Sequence, residues 1–173
     1  MLRTAEISFD ISLIESIAKD FDLSLDILEE GMRKALEVIQ GEITKKGVMP
    51  FGATGAAGRS VQIRTMRRPG EIAGFVYSNS PYMEFIEDGR RAGKFPPFGI
   101  GSPILKWVTY HVNAVGDMTL KGMTLQQLAF LVARKISKKG TPPQRPFALG
   151  FEAGQTNANA AFEFAVEQAI ASL

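Results

Sequence analysis

Gly52-Ala53-Thr54-Gly55-Ala56-Ala57-Gly58-Arg59-Ser60 is the segment of this 173-residue chain with the most obvious chemical promise. Glycines let backbone N–H groups approach a pyrophosphate, and a dinucleotide-phosphate turn uses a similar spacing. Such a turn needs a buried strand before it and a helix after it, so that the phosphates sit on a helix N-terminus. Here a helix end and Val48-Met49-Pro50-Phe51 precede it, and the segment that follows alternates like a strand. A nucleoside-triphosphate loop fits no better, because Ala53 stands where its first glycine belongs and Arg59 where its lysine belongs. The segment therefore reads as a flexible turn leading into a hairpin.

The remaining chemical inventory is sparse. There is no cysteine, which removes disulfides, thiolate metal sites and thiol nucleophiles, and His111 is the single histidine, which excludes a multi-histidine zinc site. Glu84, Glu87 and Asp88 are close enough in sequence to bind a cation or to act as an acid and base pair, but three neighbouring carboxylates on a short helix more often form a solvated face. No catalytic, cofactor-binding or metal-ligating residue is assigned, and the chain reads as a non-enzyme.

Charge is the stronger signal. The formal net charge is +2, yet residues 1–58 carry 6 Lys+Arg against 10 Asp+Glu, residues 59–145 carry 14 against 5, and residues 146–173 carry none against 3. Arg64, Arg67 and Arg68 on the hairpin and Arg90, Arg91 and Lys94 in a later loop form one cationic set, and Arg134, Lys135, Lys138 and Lys139 a second. Arginine forks suit both phosphates and acidic protein surfaces. Phe95 and Phe98, beside the loop cations, are candidate interface anchors. No nucleic-acid recognition motif accompanies these groups.

The elements that must position them follow from periodicity. Glu6 to Asp10 predicts a short strand, with Asp10 capping a first helix that carries Leu13, Ile14 and Ile17. From Asp22 or Ser24 to about Lys46, Leu25, Leu28, Met32, Leu36, Ile39 and Ile43 recur every three or four residues, predicting a long core-packing helix. Ser60–Arg67 and Ile72–Tyr77, joined by Arg68-Pro69-Gly70-Glu71, predict a β-hairpin. Ser80 and Pro81 predict the start of a short helix to Glu87. Residues 89–102 hold four glycines, two prolines, two phenylalanines and three cations and predict a long exposed loop. Helices are predicted from Pro103, from Thr124 to Lys138, and from Asn157 to Ser172, the last within a C-terminal helical segment, 151–173. The expected fold is a single α+β domain over 1–173, a small antiparallel sheet packed on a long N-terminal helix and several shorter ones. No apolar run is long enough to cross a membrane as a helix, and no signal peptide is expected at the N-terminus.

From about residue 22 to residue 150 the order of parts resembles a known family. The long helix is followed by Thr54-Gly55 and Ser60 at a hairpin, then Val76, Asn79, Tyr82 and Glu84-Phe85-Ile86-Glu87-Asp88-Gly89-Arg90. Pro96-Pro97, Ile104, Trp107-Val108, Ala133-Arg134-Lys135-Ile136, Gly140-Thr141 and Pro146-Phe147 come next. This order is similar to that of the neck or tail-completion proteins of tailed bacteriophages. The chain departs from the family at Ala56-Ala57-Gly58, where a leucine is common, and at the basic run Arg90-Arg91-Ala92-Gly93-Lys94.

The resemblance implies a structural virion protein that forms a homo-oligomeric ring of six or twelve subunits at the head-tail junction. It also implies host cytoplasm during assembly, head-completion or connector proteins and tail-tube or tail-terminator proteins as partners, and transient non-specific contact with double-stranded DNA in the channel. With it, Arg64, Arg67, Arg68, Arg90, Arg91, Lys94, Phe95 and Phe98 are expected at subunit interfaces or on the channel wall. The alternatives are a dinucleotide-binding reductase using the Gly52–Gly58 turn and a non-specific nucleic-acid-binding protein.

Overall fold

A computed structural model describes residues 3–12, 22–45, 47–50, 55–116, 118 and 120–172. Three strands, β1 (Arg3–Asp10), β2 (Val61–Arg68) and β3 (Glu71–Ser78), form an antiparallel sheet in the order β1-β3-β2. The helices are α1 (Asp22–Thr44), a single turn α2 (Ala56–Arg59), α3 (Met83–Glu87), α4 (Pro103–Tyr110) continued by a π-helical stretch over His111–Val115, α5 (Leu125–Lys139) and α6 (Pro146–Ala171). This is the expected α+β fold. None of the described helices is long and apolar enough to cross a membrane. The first helix expected around Leu13, Ile14 and Ile17 lies outside the described residues, although Asp10 does accept a hydrogen bond from the Ser12 N–H at 2.9 Å, as a cap would.

Strand alternation sets the body's core. Ile7 and Phe9 pair with Gly74 and Ile72, and Ile63 with Val76, so these side chains share one face of the sheet. That face packs on α1, where Leu28, Met32, Leu36, Ile39 and Ile43 are fully buried. Phe9 stacks on Phe162 of α6, ring centroids 3.9 Å apart, which joins α6 to the same core at the β1 edge of the sheet.

α1 and α6 lie antiparallel and very close. A Cβ at Gly150 would stand 2.6 Å from the Ile43 Cα, one at Gly154 would stand 2.8 Å from Ile39 Cδ1, and one at Gly31 would stand 2.1 Å from the Ala165 Cβ. Glycine at these positions allows backbone-to-backbone approach that no other residue permits.

That contact also corrects the expected C-terminal helix. It begins at Pro146, not Asn157, because Gly150 and Gly154, weak helix formers in isolation, are buried against Ile43 and Ile39 and held in helix by packing on α1. Two smaller corrections are local. α3 starts at Met83 behind a Pro81-Tyr82 turn, two residues later than expected, and the glycine-rich segment contains one helical turn, Ala56–Arg59.

A second, smaller core lies between α4 and α5. Val108, Leu128 and Ala129 are buried there, with Ile104, Trp107, Val112 and Val132 packed around them. Ser102 caps α4 by accepting the Leu105 N–H at 3.1 Å, and Thr124 and Gln127 close a reciprocal capping box on α5.

Candidate interaction surface

The loop over 89–102 belongs to no helix or strand, but it is fastened. Arg90 and Thr141 exchange backbone hydrogen bonds at 2.9 and 2.8 Å, and the Gly93 N–H donates to the Ser137 carbonyl at 2.8 Å. The approach demands glycine at position 140, where φ is +70° and a Cβ would sit 2.0 Å from the Arg90 carbonyl oxygen. Next to this clasp, the Gln144 N–H donates to the Ile86 carbonyl at 2.9 Å.

Glu87 completes the fastening. The expectation of a solvated acidic face fails at this residue: Glu87 is buried, and its carboxylate accepts the Phe147 N–H at 2.9 Å and the Ala148 N–H at 3.1 Å. These are free donors in the first turn of α6, where Arg145 offers no side-chain cap and Pro146 has no N–H. A carboxylate there satisfies both and favours the positive end of the helix dipole. Glu87 is therefore a cap delivered from 60 residues away.

The clasp rearranges the cations. Arg90, Arg91 and Lys94 lie beside the C-terminal half of α5, where Arg134, Lys135, Lys138 and Lys139 are exposed. The Arg90 guanidinium donates to the Lys94 carbonyl at 3.1 Å and stands 5.7 Å from the centre of the Phe85 ring. The loop set and the α5 set, read separately from the sequence, are one surface. From Gly89 to Phe151 the chain holds ten Lys+Arg and a single acid, Asp117. Among the described residues no salt bridge engages Arg91, Lys94, Arg134, Lys135, Lys138 or Lys139.

The hairpin arginines are elsewhere and engaged. Arg67 pairs with Asp26 at 2.5 Å and Glu29 at 2.6 Å on α1, and Arg68 with Glu71 at 3.3 Å and Glu6 at 3.9 Å. The Arg67 pKa is held above the usual arginine value, by its hydrogen bond to Asp26 and then by Glu29. These pairs sit at the turn between β2 and β3, whereas the loop follows α3 and is bonded to the end of α5 and to Thr141. Arg64 is exposed on the sheet face turned away from α1. The expected single set of six cations is thus divided: Arg90, Arg91 and Lys94 join α5, while Arg67 and Arg68 pair with acids of the same chain.

Phe95 and Phe98, the expected interface anchors, form a cluster with a third ring that the sequence pattern did not single out. Phe130 of α5 stands 5.7 Å from Phe95 and 5.3 Å from Phe98, and Phe95 and Phe98 are 5.6 Å apart. Phe95 and Phe130 remain 45% and 40% exposed, and the neighbouring Leu131 41%. The available signal was that Phe130 falls outside the stripe of Leu125, Leu128 and Val132 that faces α4.

His111 packs against Trp107, ring centroids 4.1 Å apart. Among the described residues no cluster of three or more metal-type side chains occurs. At the glycine-rich turn, Phe51 to Thr54 lie outside the described residues, and α2, four residues long, leads directly into a strand of an antiparallel sheet. The parallel strand-turn-helix unit that a dinucleotide turn needs is not formed by this sheet. What the surface offers is a half-exposed aromatic cluster beside six exposed cations, suited to an acidic protein face or a polyanion. Compared with protein families, with curated proteins and with solved structures, the chain matches none.

Proposed function

We propose that this chain is a non-enzymatic structural subunit of a tailed phage, assembling as a homo-oligomeric ring at the head-tail junction around the DNA channel. The observation that carries the reading is the surface formed by the loop and α5: exposed cations and half-exposed rings, fixed on a fastened scaffold. An interface of that make-up has aromatic anchors for affinity and unpaired charge for register. The resemblance supports the same reading. Its scattered pieces Glu87, Arg90, Gly140-Thr141 and Pro146-Phe147 meet in one clasp, so they are residues that shape the subunit.

Light scattering across protein concentration and salt, with negative-stain images of the same sample, tests this. Closed rings of six or twelve that join to connector or tail-tube proteins are the expected result. A chain that stays monomeric and does not join when mixed with those proteins overturns the proposal.

A second reading is favoured by the same cations. Arg91, Lys94 and the α5 lysines lie together without acidic partners, which suits non-specific binding of nucleic acid by a free monomer. Salt-dependent retention on DNA without self-assembly would select it.

A further inference from the structure

α6 is as one-sided in charge as α5, with the opposite sign. No Lys or Arg follows Arg145. Glu152, Glu163 and Glu167 are all exposed, and at 100° per residue they fall within about 60° of arc on the side of α6 turned away from α1. Ile170, 56% exposed, lies on that face, and Phe164, 59% exposed, lies at its edge in the groove with Asp26, Glu30 and Lys34 of α1. None of these three carboxylates joins a salt bridge among the described residues.

The spacings match. Glu163 and Glu167 are one helical turn apart, as are Arg134 and Lys138, and Lys135 and Lys139. Each row is about 6 Å long at 1.5 Å per residue. Each face also has apolar side chains beside its charges, Phe130 and Leu131 on α5 and Phe164 and Ile170 on α6.

We propose that the outward face of α6 is the docking site for the loop and α5 surface of a second copy of this chain, the Arg134/Lys138 row lying along Glu163 and Glu167. The two surfaces differ, so the contact is head-to-tail: every docked copy leaves one of each surface open, and assembly grows until it closes on itself. This rests on the reading of the chain as an assembling subunit and names the surfaces that meet. Opposite charge fixes the register and speeds encounter, while the flanking rings and aliphatic groups supply contact area.

The test is a charge exchange. One variant carries Arg134→Glu and Lys138→Glu, the other Glu163→Lys and Glu167→Lys. All four positions are exposed, and circular dichroism confirms that the variants are folded. Mass is read by light scattering from micromolar to millimolar protein. The wild-type chain is expected to self-associate in low salt and to dissociate as salt rises. Each variant alone should associate at least ten-fold more weakly, and an equimolar mixture should recover assembly, because the reversed surfaces now fit each other.

Variants that assemble as the wild type does, or a mixture that stays monomeric, overturn the proposal. So does a wild-type chain that is monomeric throughout, or a loss of DNA retention with no change in mass, which would assign the cations to a polyanion. Incorporation of both variants at a head-tail junction with unaltered efficiency would separate the two ideas: the ring would stand and these surfaces would not form it.

Discussion

The body built by α1, α6 and the sheet and the smaller unit built by α4 and α5 are stabilised in different ways. In the body, long side chains from α1 are fully enclosed, glycines bring two helices to backbone contact, and Arg33, Arg67 and Arg68 are paired with acids of the same chain. In the smaller unit the buried apolar cluster is only Val108, Leu128 and Ala129, three phenylalanines touch one another while two remain 40% exposed or more, and the cations have no ion-pair partners among the described residues. One region spends its side chains on holding itself together and the other leaves them available. Stability and interaction are divided between the two.

The contrast predicts its largest effect in the body. Phe162 is 3% exposed and stacked on Phe9, so Phe162→Ala should destabilise by about 3–5 kcal/mol, as removal of a buried ring does. Phe130→Ala, which removes the same group from the smaller unit, should cost about 1 kcal/mol or less and should weaken self-association instead. Urea unfolding of the two variants measures the difference. Equal losses of stability would erase the distinction.

Glu87 comes next, because the clasp joins the two regions. Glu87→Ala leaves the Phe147 and Ala148 N–H groups without their acceptor at a largely buried helix end, a loss of about 2–3 kcal/mol. Glu87→Gln keeps one carbonyl oxygen and should recover about half of it. Gly150→Ala should cost roughly 1–2 kcal/mol: helix propensity gains about 1 kcal/mol, but the new methyl meets the Ile43 backbone at 2.6 Å, and displacing that backbone costs more. The same substitution at Gly116, with nothing within 4 Å of its Cβ, is strained by its φ of +72° alone and should cost about 1 kcal/mol.

How much of this the sequence carried depends on how local each feature is. The long helix, the hairpin and the starts of α4 and α5 were legible because each is encoded within a few residues: apolar spacing on α1, Pro69-Gly70 between alternating strands, and Pro103 and Thr124 ahead of apolar residues at helical spacing. The start of α6 was hidden, because the Gly150 and Gly154 that argue against helix locally are required by Ile43 and Ile39 more than 100 positions earlier. Glu87 read as solvent-facing because its partners are the backbone of Phe147 and Ala148, which no side-chain pattern announces. The loop cations were grouped with the hairpin because both are arginine-rich, whereas a backbone bridge from Arg90 to Thr141 places them with α5. Phe95 was legible as an exposed aromatic, whereas Phe98 is half-buried against the core between α4 and α5, and Phe130 became their partner through the fold.

The smallest expected effects discriminate most finely, since they compare one arginine with another. Arg67 bridges Asp26 and Glu29 with 41% of its side chain exposed, so Arg67→Gln should cost about 0.5–1 kcal/mol, the usual range for a solvent-screened pair. Arg134 has no such partner among the described residues, and Arg134→Gln should stay within about 0.5 kcal/mol of the parent. The gap between the two should close in 1 M salt, where charges are screened beyond about 3 Å. Self-association at low salt should show the reverse order, strongly weakened by Arg134→Gln and little changed by Arg67→Gln. If Arg67→Gln were instead the variant that lost association, the paired cations would be the contact surface, and the division of labour between the two regions would fail where it is most specific.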